Sequence, residues 1–335
     1  MTSDRPPTRR RRAAAVVLLT ILAAPLLAGC TAPGTQPPCD LDALLRDGVT
    51  ALQPRADPRG GMPAIPGTEP DPRTTARVLI GAGLVRRAGY EGAFDAAPHV
   101  AYLRDNLVAM TTARAPVDSV PNNLSLAALA LQVWGHDPHG VPLNETHTLG
   151  DAWDAHYDPA TGRFGVRLNE HLFGAFAAWL LGPPDERLVA MAEHTAARLA
   201  APGPGGDPTA RDAWWAAYAR AALGAPPADL AQAARMEAIL AAHREEGGGV
   251  RGFASAKHAD ASTTAAAVLA WERSGEGPSG PHVAAATAYF CSARRADGLV
   301  PFRAGTDHLP VKTTAEVLIA LALVKQDVPW GDGTD

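Results

Sequence analysis

Glu170 with His171, Asp212, His258 with Asp260, and His308 with Lys312 bring carboxylates, imidazoles and an amine to polar stretches that precede or open alanine-rich segments. A carboxylate beside an imidazole can move protons, and a lysine can hold an anion. These seven residues are the candidate binding site, with no catalytic role assigned. Asp260 is also open to a plainer reading, since Asp, Asn, Ser and Thr are the favoured first caps of helices. The same holds for Asp71 and Asn123, while a solvated loop is the plainer fate of His258 and His308.

The elements that carry these residues repeat. "TTARVLIGAGL" at 74–84 is echoed by "STTAAAVLAW" at 262–271 and "TTAEVLIALAL" at 313–323, with weaker copies from Ser125, His171 and Asp212. The starts at 75, 125, 171, 212, 264 and 314 give six copies with a period near fifty. A fixed period of this length marks stacked supersecondary units. Each copy is apolar nearly all round, which requires burial on both sides. Each is preceded by an amphipathic helical pattern, at 41–53, 94–110, 149–157, 185–201, 228–244 and 281–295. Glycine-bearing turns such as "GGMPAIPG" (60–67) and "GGGVRGF" (247–253) redirect the chain between many of these pairs. Six buried helices alternating with six half-polar ones describe an all-α, α/α toroid over residues 41–335, with an inner ring and an outer ring. All inner helices then run the same way, and their N-termini gather at one mouth that favours anionic or strongly polar ligands.

The first 29 residues form an export address. Arg5 and Arg9 to Arg12 make a basic start, Ala13 to Leu27 an apolar stretch, and Leu27-Ala28-Gly29-Cys30 resembles the lipobox of bacterial lipoproteins. The resemblance implies cleavage before Cys30 and lipid on its sulfur, hence an extracytoplasmic protein held on the cell membrane, with residues 30–40 as a tether. Either the general or the twin-arginine export route is open. Without residues 1–29, which hold five Arg and one Asp, the 30 basic and 35 acidic residues become 25 and 34, a net charge of −9. Such an acidic chain offers no face to phosphate backbones, which excludes nucleic acid. No Cys/His metal spacing appears, and no metal or cofactor is expected.

The hairpin period and its "xDGxxxF…TA…aL" rhythm resemble the terpenoid cyclase and protein prenyltransferase toroids, a group that includes cobalamin carriers and complement thioester domains. Class II cyclases of that group carry a D-x-D-D-T-A run whose middle carboxylic acid protonates an alkene. The matching runs here are Asp260-Ala261-Ser262-Thr263-Thr264-Ala265 and Asp71-Pro72-Arg73-Thr74-Thr75-Ala76, so Ser262 or Arg73 stands where that acid would be. Aromatic residues, which steady carbocations in cyclases, are 6% of the chain. The prenyltransferase zinc set of Cys, Asp and His and the thioester run Gly-Cys-Gly-Glu-Gln are absent as well. In a closed ring the first and sixth hairpins are neighbours, which implies a Cys39–Cys291 disulfide across the seam. Three functions stay open: a non-catalytic lipoprotein binding a small polar or anionic ligand or an envelope protein, an enzyme of terpenoid or glycan chemistry at the same mouth, and a structural envelope protein.

Overall fold

A computed structural model of the chain describes residues 39–90, 94–111, 119–182, 186–200, 213–224 and 229–326. The export segment, Cys30 and Asp212 lie outside the described residues. The described helices belong to one unit, and no helix among the described residues is long and apolar enough to cross a membrane.

Six helices form the inner ring: α2 (Pro72–Arg87), α5 (Val120–Gln132), α7 (Leu168–Leu181), α9 (Ala213–Ala222), α11 (Ala261–Glu272) and α13 (Pro310–Lys325). Each packs against the next in that order, and α13 packs against α2, so the ring is closed. Seven helices supply the outer layer: α1 (Leu41–Leu52), α3 (Ala97–Asp105), α4 (Leu107–Met110), α6 (Leu149–Asp154), α8 (Glu186–Ala200), α10 (Leu230–His243) and α12 (Pro281–Ala293). The expected second outer helix is split into α3 and α4 at Asn106, whose Nδ2 donates to Tyr102 O at 2.8 Å and competes with the backbone ladder. The third is shorter than its pattern, because the chain turns after Asp154 into a two-residue hairpin, Tyr157–Asp158 with Arg163–Phe164.

The inner helices are buried all round because small side chains let them approach. In α11 every residue from Thr263 to Trp271 is buried, and four of those nine are alanine. The outer helices bury one face only. In α1, capped by Asp40 through Ala43 N at 2.8 Å, Leu44, Leu45, Val49 and Leu52 face the core while Arg46 and Asp47 face water. Replacing that cap by alanine costs about 1 kcal/mol.

The repeated Thr-Thr-Ala phrase has a structural cause. The second threonine pins the incoming loop to the first turn of its helix: Thr75 Oγ1 accepts from Met62 N at 2.9 Å, Thr264 Oγ1 from Val250 N at 2.9 Å and Thr314 Oγ1 from Val300 N at 2.8 Å. Each hydroxyl donates back to its own helix, at Asp71 O, Asp260 O and Pro310 O. The glycine turns ahead of these loops answer to a steric limit. Gly60 and Gly248 sit at φ +88° and +84°, and a Cβ there would lie 2.3 Å and 2.1 Å from the carbonyl oxygens of Pro98 and Ala285.

At the seam, α1 packs on both α13 and α2, and Cys39 Sγ is bonded to Cys291 Sγ of α12. The folded unit thus takes in Cys39 and Asp40, ahead of the boundary drawn at Leu41.

Candidate functional site

The inner ring encloses a cup of about 210 Å³ with residues from all six inner helices in its wall. Each helix presents one stripe at i, i+4 and i+7, the spacing that keeps side chains on one face. On α2 the stripe is Arg73, Arg77, Ile80; on α5 it is Asn122, Leu126, Leu129; on α7, Asn169, Phe173, Phe176. On α11 it is Ser262, Ala266, Leu269, on α13 Lys312, Glu316, Ile319, and α9 adds Trp214 and Tyr218. The first tier of every stripe lies in the first turns of the helices, where unpaired N–H groups gather. The cup is therefore graded, with cations, amides and a hydroxyl at the rim and leucine, isoleucine and phenylalanine at the floor.

Glu316 is the one carboxylate among the described residues of the wall. Lys312 Nζ lies 2.9 Å and Arg77 Nε 3.3 Å from its Oε1, and Ser262 Oγ donates to its Oε2. Burial pushes the carboxyl toward the neutral form, but Lys312, Arg77 and the Ser262 hydroxyl outweigh it and hold Glu316 below the usual range. It is ionised at neutral pH and so holds no proton to donate. Tyr218, in an aromatic wall with Phe173, Phe176 and Trp214, has its hydroxyl pKa pushed up by burial and then by Glu316.

Arg73 is fixed at the rim. Its Nη1 lies 3.3 Å from Asp71 Oδ1 and its Nε donates to Asn123 Oδ1 at 3.1 Å. Among the six described members of the candidate set, Lys312 lies in the cup wall. Glu170 takes Val166 N at 2.8 Å, Arg167 N at 3.0 Å and Ser119 Oγ at 2.9 Å, so it ties down the start of α7. Burial raises its pKa, yet those bonds bring it below the ordinary value. His171 is 2% exposed and does for α7 what the threonines do elsewhere, its Nδ1 accepting from Phe164 N at 3.1 Å. Its Nε2 reaches Thr195 Oγ1 at 2.9 Å and Met191 O at 3.0 Å, and burial with His194 nearby pushes its pKa down to about 4.

Asp260 caps α11, taking Thr263 N at 2.7 Å and Thr263 Oγ1 at 2.9 Å, and burial raises its pKa against those bonds. Asp71 caps α2 in the same way through Thr74. His258 and His308 are exposed, the latter edge-on to Phe302 at 5.5 Å. The last inner helix lacks an acidic cap: Leu309 holds that position at φ +48°, and buried Thr313 Oγ1 has no partner. Among the described residues no three His, Cys, Asp or Glu side chains are grouped to hold a metal ion.

No protein-family model matches the chain, and no curated relative matches it. Solved structures do. A variant of the type II terpene cyclase MstE from Scytonema, in complex with geranylgeranyl dihydroxybenzoate, superposes with a TM-score of 0.55 over 85% of this chain and 97% of its own, at 14% identity. A wild-type glycosidase gives 0.52 over 84% and 96%, also at 14% identity. A protein from Actinoplanes gives 0.53 over 86% and 100%, at 18% identity. The chain has the α/α toroid fold of these proteins. Identity this low speaks for the fold, and one fold hosts unrelated chemistries.

Proposed function

We propose that the chain is a binding protein whose cup takes a small amphiphile, apolar end toward the floor and polar end at the rim, and returns it unchanged. The grading of the six stripes from Arg73, Asn122, Asn169 and Lys312 down to Ile80, Leu129, Phe176 and Ile319 carries this reading. An apolar floor rewards hydrocarbon burial, and a few placed polar groups fix orientation. Two features favour binding over turnover. Ser262 occupies the place of the alkene-protonating acid of class II cyclases, and the carboxylate beside it, Glu316, is tied to two cations. Hydrolysis of a glycoside by two carboxylates needs a second one in the cup, and among the described residues of the wall Glu316 is the one present.

The same reading places the protein outside the cytoplasm, anchored to the cell membrane through lipid on Cys30. An exported membrane-bound form that becomes water-soluble on Cys30→Ser is the result expected in detergent phase partition. For the cup, native mass spectrometry of residues 31–335, exported in a bacterial host, should show a discrete added mass. Ala266→Phe fills the second tier and should remove that mass while the folded protein persists. A ligand recovered chemically altered after incubation would replace binding by enzymology. A clean apo mass for both proteins, with lipid extracts supplied, would shift the weight to a structural or protein-binding role.

A further inference from the structure

The cup has two unlike walls. In a closed ring of six, α9 stands opposite α2 and α7 opposite α13. The α7 and α9 side is aromatic: the Tyr218 ring centroid lies 4.8 Å from that of Trp214, 6.2 Å from that of Phe173 and 6.4 Å from that of Phe176. On the α2 and α13 side, Arg77 and Lys312 share Glu316, which also takes the Ser262 hydroxyl of α11.

Tyr218 carries the one hydroxyl among the described residues of the aromatic wall. No described residue is hydrogen-bonded to it. Its oxygen is not among the buried atoms that lack a partner, so it keeps surface of its own, and Tyr218 borders the cup. A hydroxyl set among rings gives up water for no return unless the contents of the cup answer it. Phenylalanine at 173 and 176 shows how the wall is built where no such need exists. The surrounding charges limit the answering group. Burial raises the pKa of the Tyr218 hydroxyl, and Glu316 raises it further by more than Arg77 lowers it. The O–H stays protonated at neutral pH, and a second negative charge beside it is opposed. Tyr218 lies four residues after Trp214, hence one turn inside the rim and above the apolar floor.

We infer that the ligand carries an uncharged oxygen, of a hydroxyl or a carbonyl group, where its polar end joins its apolar end, and that this oxygen accepts from the Tyr218 hydroxyl. The inference rests on the cup reading above and names the group the cup selects. Tyr218 is the specificity-determining residue, and Phe173 and Phe176 hold the hydrocarbon next to it.

Calorimetric titration of residues 31–335 with 4-ethylphenol, 4-ethyltoluene and 4-ethylbenzoate tests it, since the three probes share a ring and differ in one group. Wild type should bind 4-ethylphenol, with the anionic 4-ethylbenzoate at least about tenfold weaker, the factor that one lost hydrogen bond with a charge left unanswered gives. Tyr218→Phe keeps the ring and removes the hydroxyl. It should weaken 4-ethylphenol about fivefold and leave 4-ethyltoluene within about twofold. Its urea midpoint should not fall, because no bond within the protein is lost. Unchanged affinity for 4-ethylphenol in Tyr218→Phe, or an equal loss for 4-ethyltoluene, overturns the role of Tyr218. Tighter binding of 4-ethylbenzoate than of 4-ethylphenol by wild type overturns the uncharged oxygen. If none of the three binds wild type, or if binding survives Ala266→Phe, the cup reading itself fails, and the inference with it.

Discussion

Arg77 Nε lies 3.3 Å from Glu316 Oε1, so a cation on the first inner helix meets a carboxylate on the last and the ring is joined by charge where the chain ends meet. The Glu316 side chain is 19% and the Arg77 side chain 23% exposed. Removing one partner of such a pair leaves the other poorly solvated. Arg77→Leu should lower the unfolding free energy in urea by about 2 kcal/mol, and Arg77→Leu with Glu316→Leu by less than the two single changes added together. Additive costs would show that the pair is not coupled.

The pH profile of stability should report His171. Its folded pKa of about 4 lies below its ordinary 6.5, so the unfolded chain holds the extra proton between those values. Stability from this group is complete above pH 6.5 and falls as pH drops toward 4, by about 3 kcal/mol at most. His171→Asn, whose Oδ1 can stand in for Nδ1 toward Phe164 N, should flatten the urea midpoint over that window. Glu316 acts lower: with its folded pKa depressed, its contribution persists above about pH 4.5 and is lost on further acidification.

Thr264→Val tests the reason for the repeated phrase. The change keeps the shape of the side chain and leaves the buried Val250 N without its acceptor at 2.9 Å. A loss of about 1–3 kcal/mol in urea unfolding is expected. The equivalent Thr75→Val and Thr314→Val should fall in the same range, since each strips the same kind of bond from Met62 N and Val300 N.

The Cys39–Cys291 bond closes a loop of sequence separation 252. Protein expressed from residue 31 and exported should give no free thiol when unfolded without reductant. Cys39→Ser with Cys291→Ser should lower stability by about 4 kcal/mol, from the freedom returned to the unfolded chain.

The fold was legible because two physical patterns are written in the composition of the segments. Helices such as Ala261–Glu272 are apolar all round, and helices such as Leu41–Leu52 are apolar on one side. Less of the site could be read, because a residue ahead of a helix is as often a cap as a ligand. Asp260 and Glu170 answer the helix starts beside them, and His171 takes a threonine's duty, which no pattern of residue types distinguishes from chemistry. Lys312 lies in a first turn and in the cup. Arg77 and Glu316 escape a reading confined to first turns, yet the echo carries their signal. In "TTARVLI" and "TTAEVLI" they occupy the same position, opposite charges one turn inside helices that are otherwise apolar, and those helices adjoin in a closed ring.

The contact of α13 with α2 also governs how the protein can come into being. A chain still being synthesised has no partner for the outer flank of its first inner helix, because that partner is the last helix made. Every intermediate length carries two raw apolar flanks, one at each end of an open arc. No cut between hairpins yields a smaller complete molecule. Sequestering those flanks is therefore a task for whatever accompanies the chain before closure, and the finished ring has neither flank left to offer.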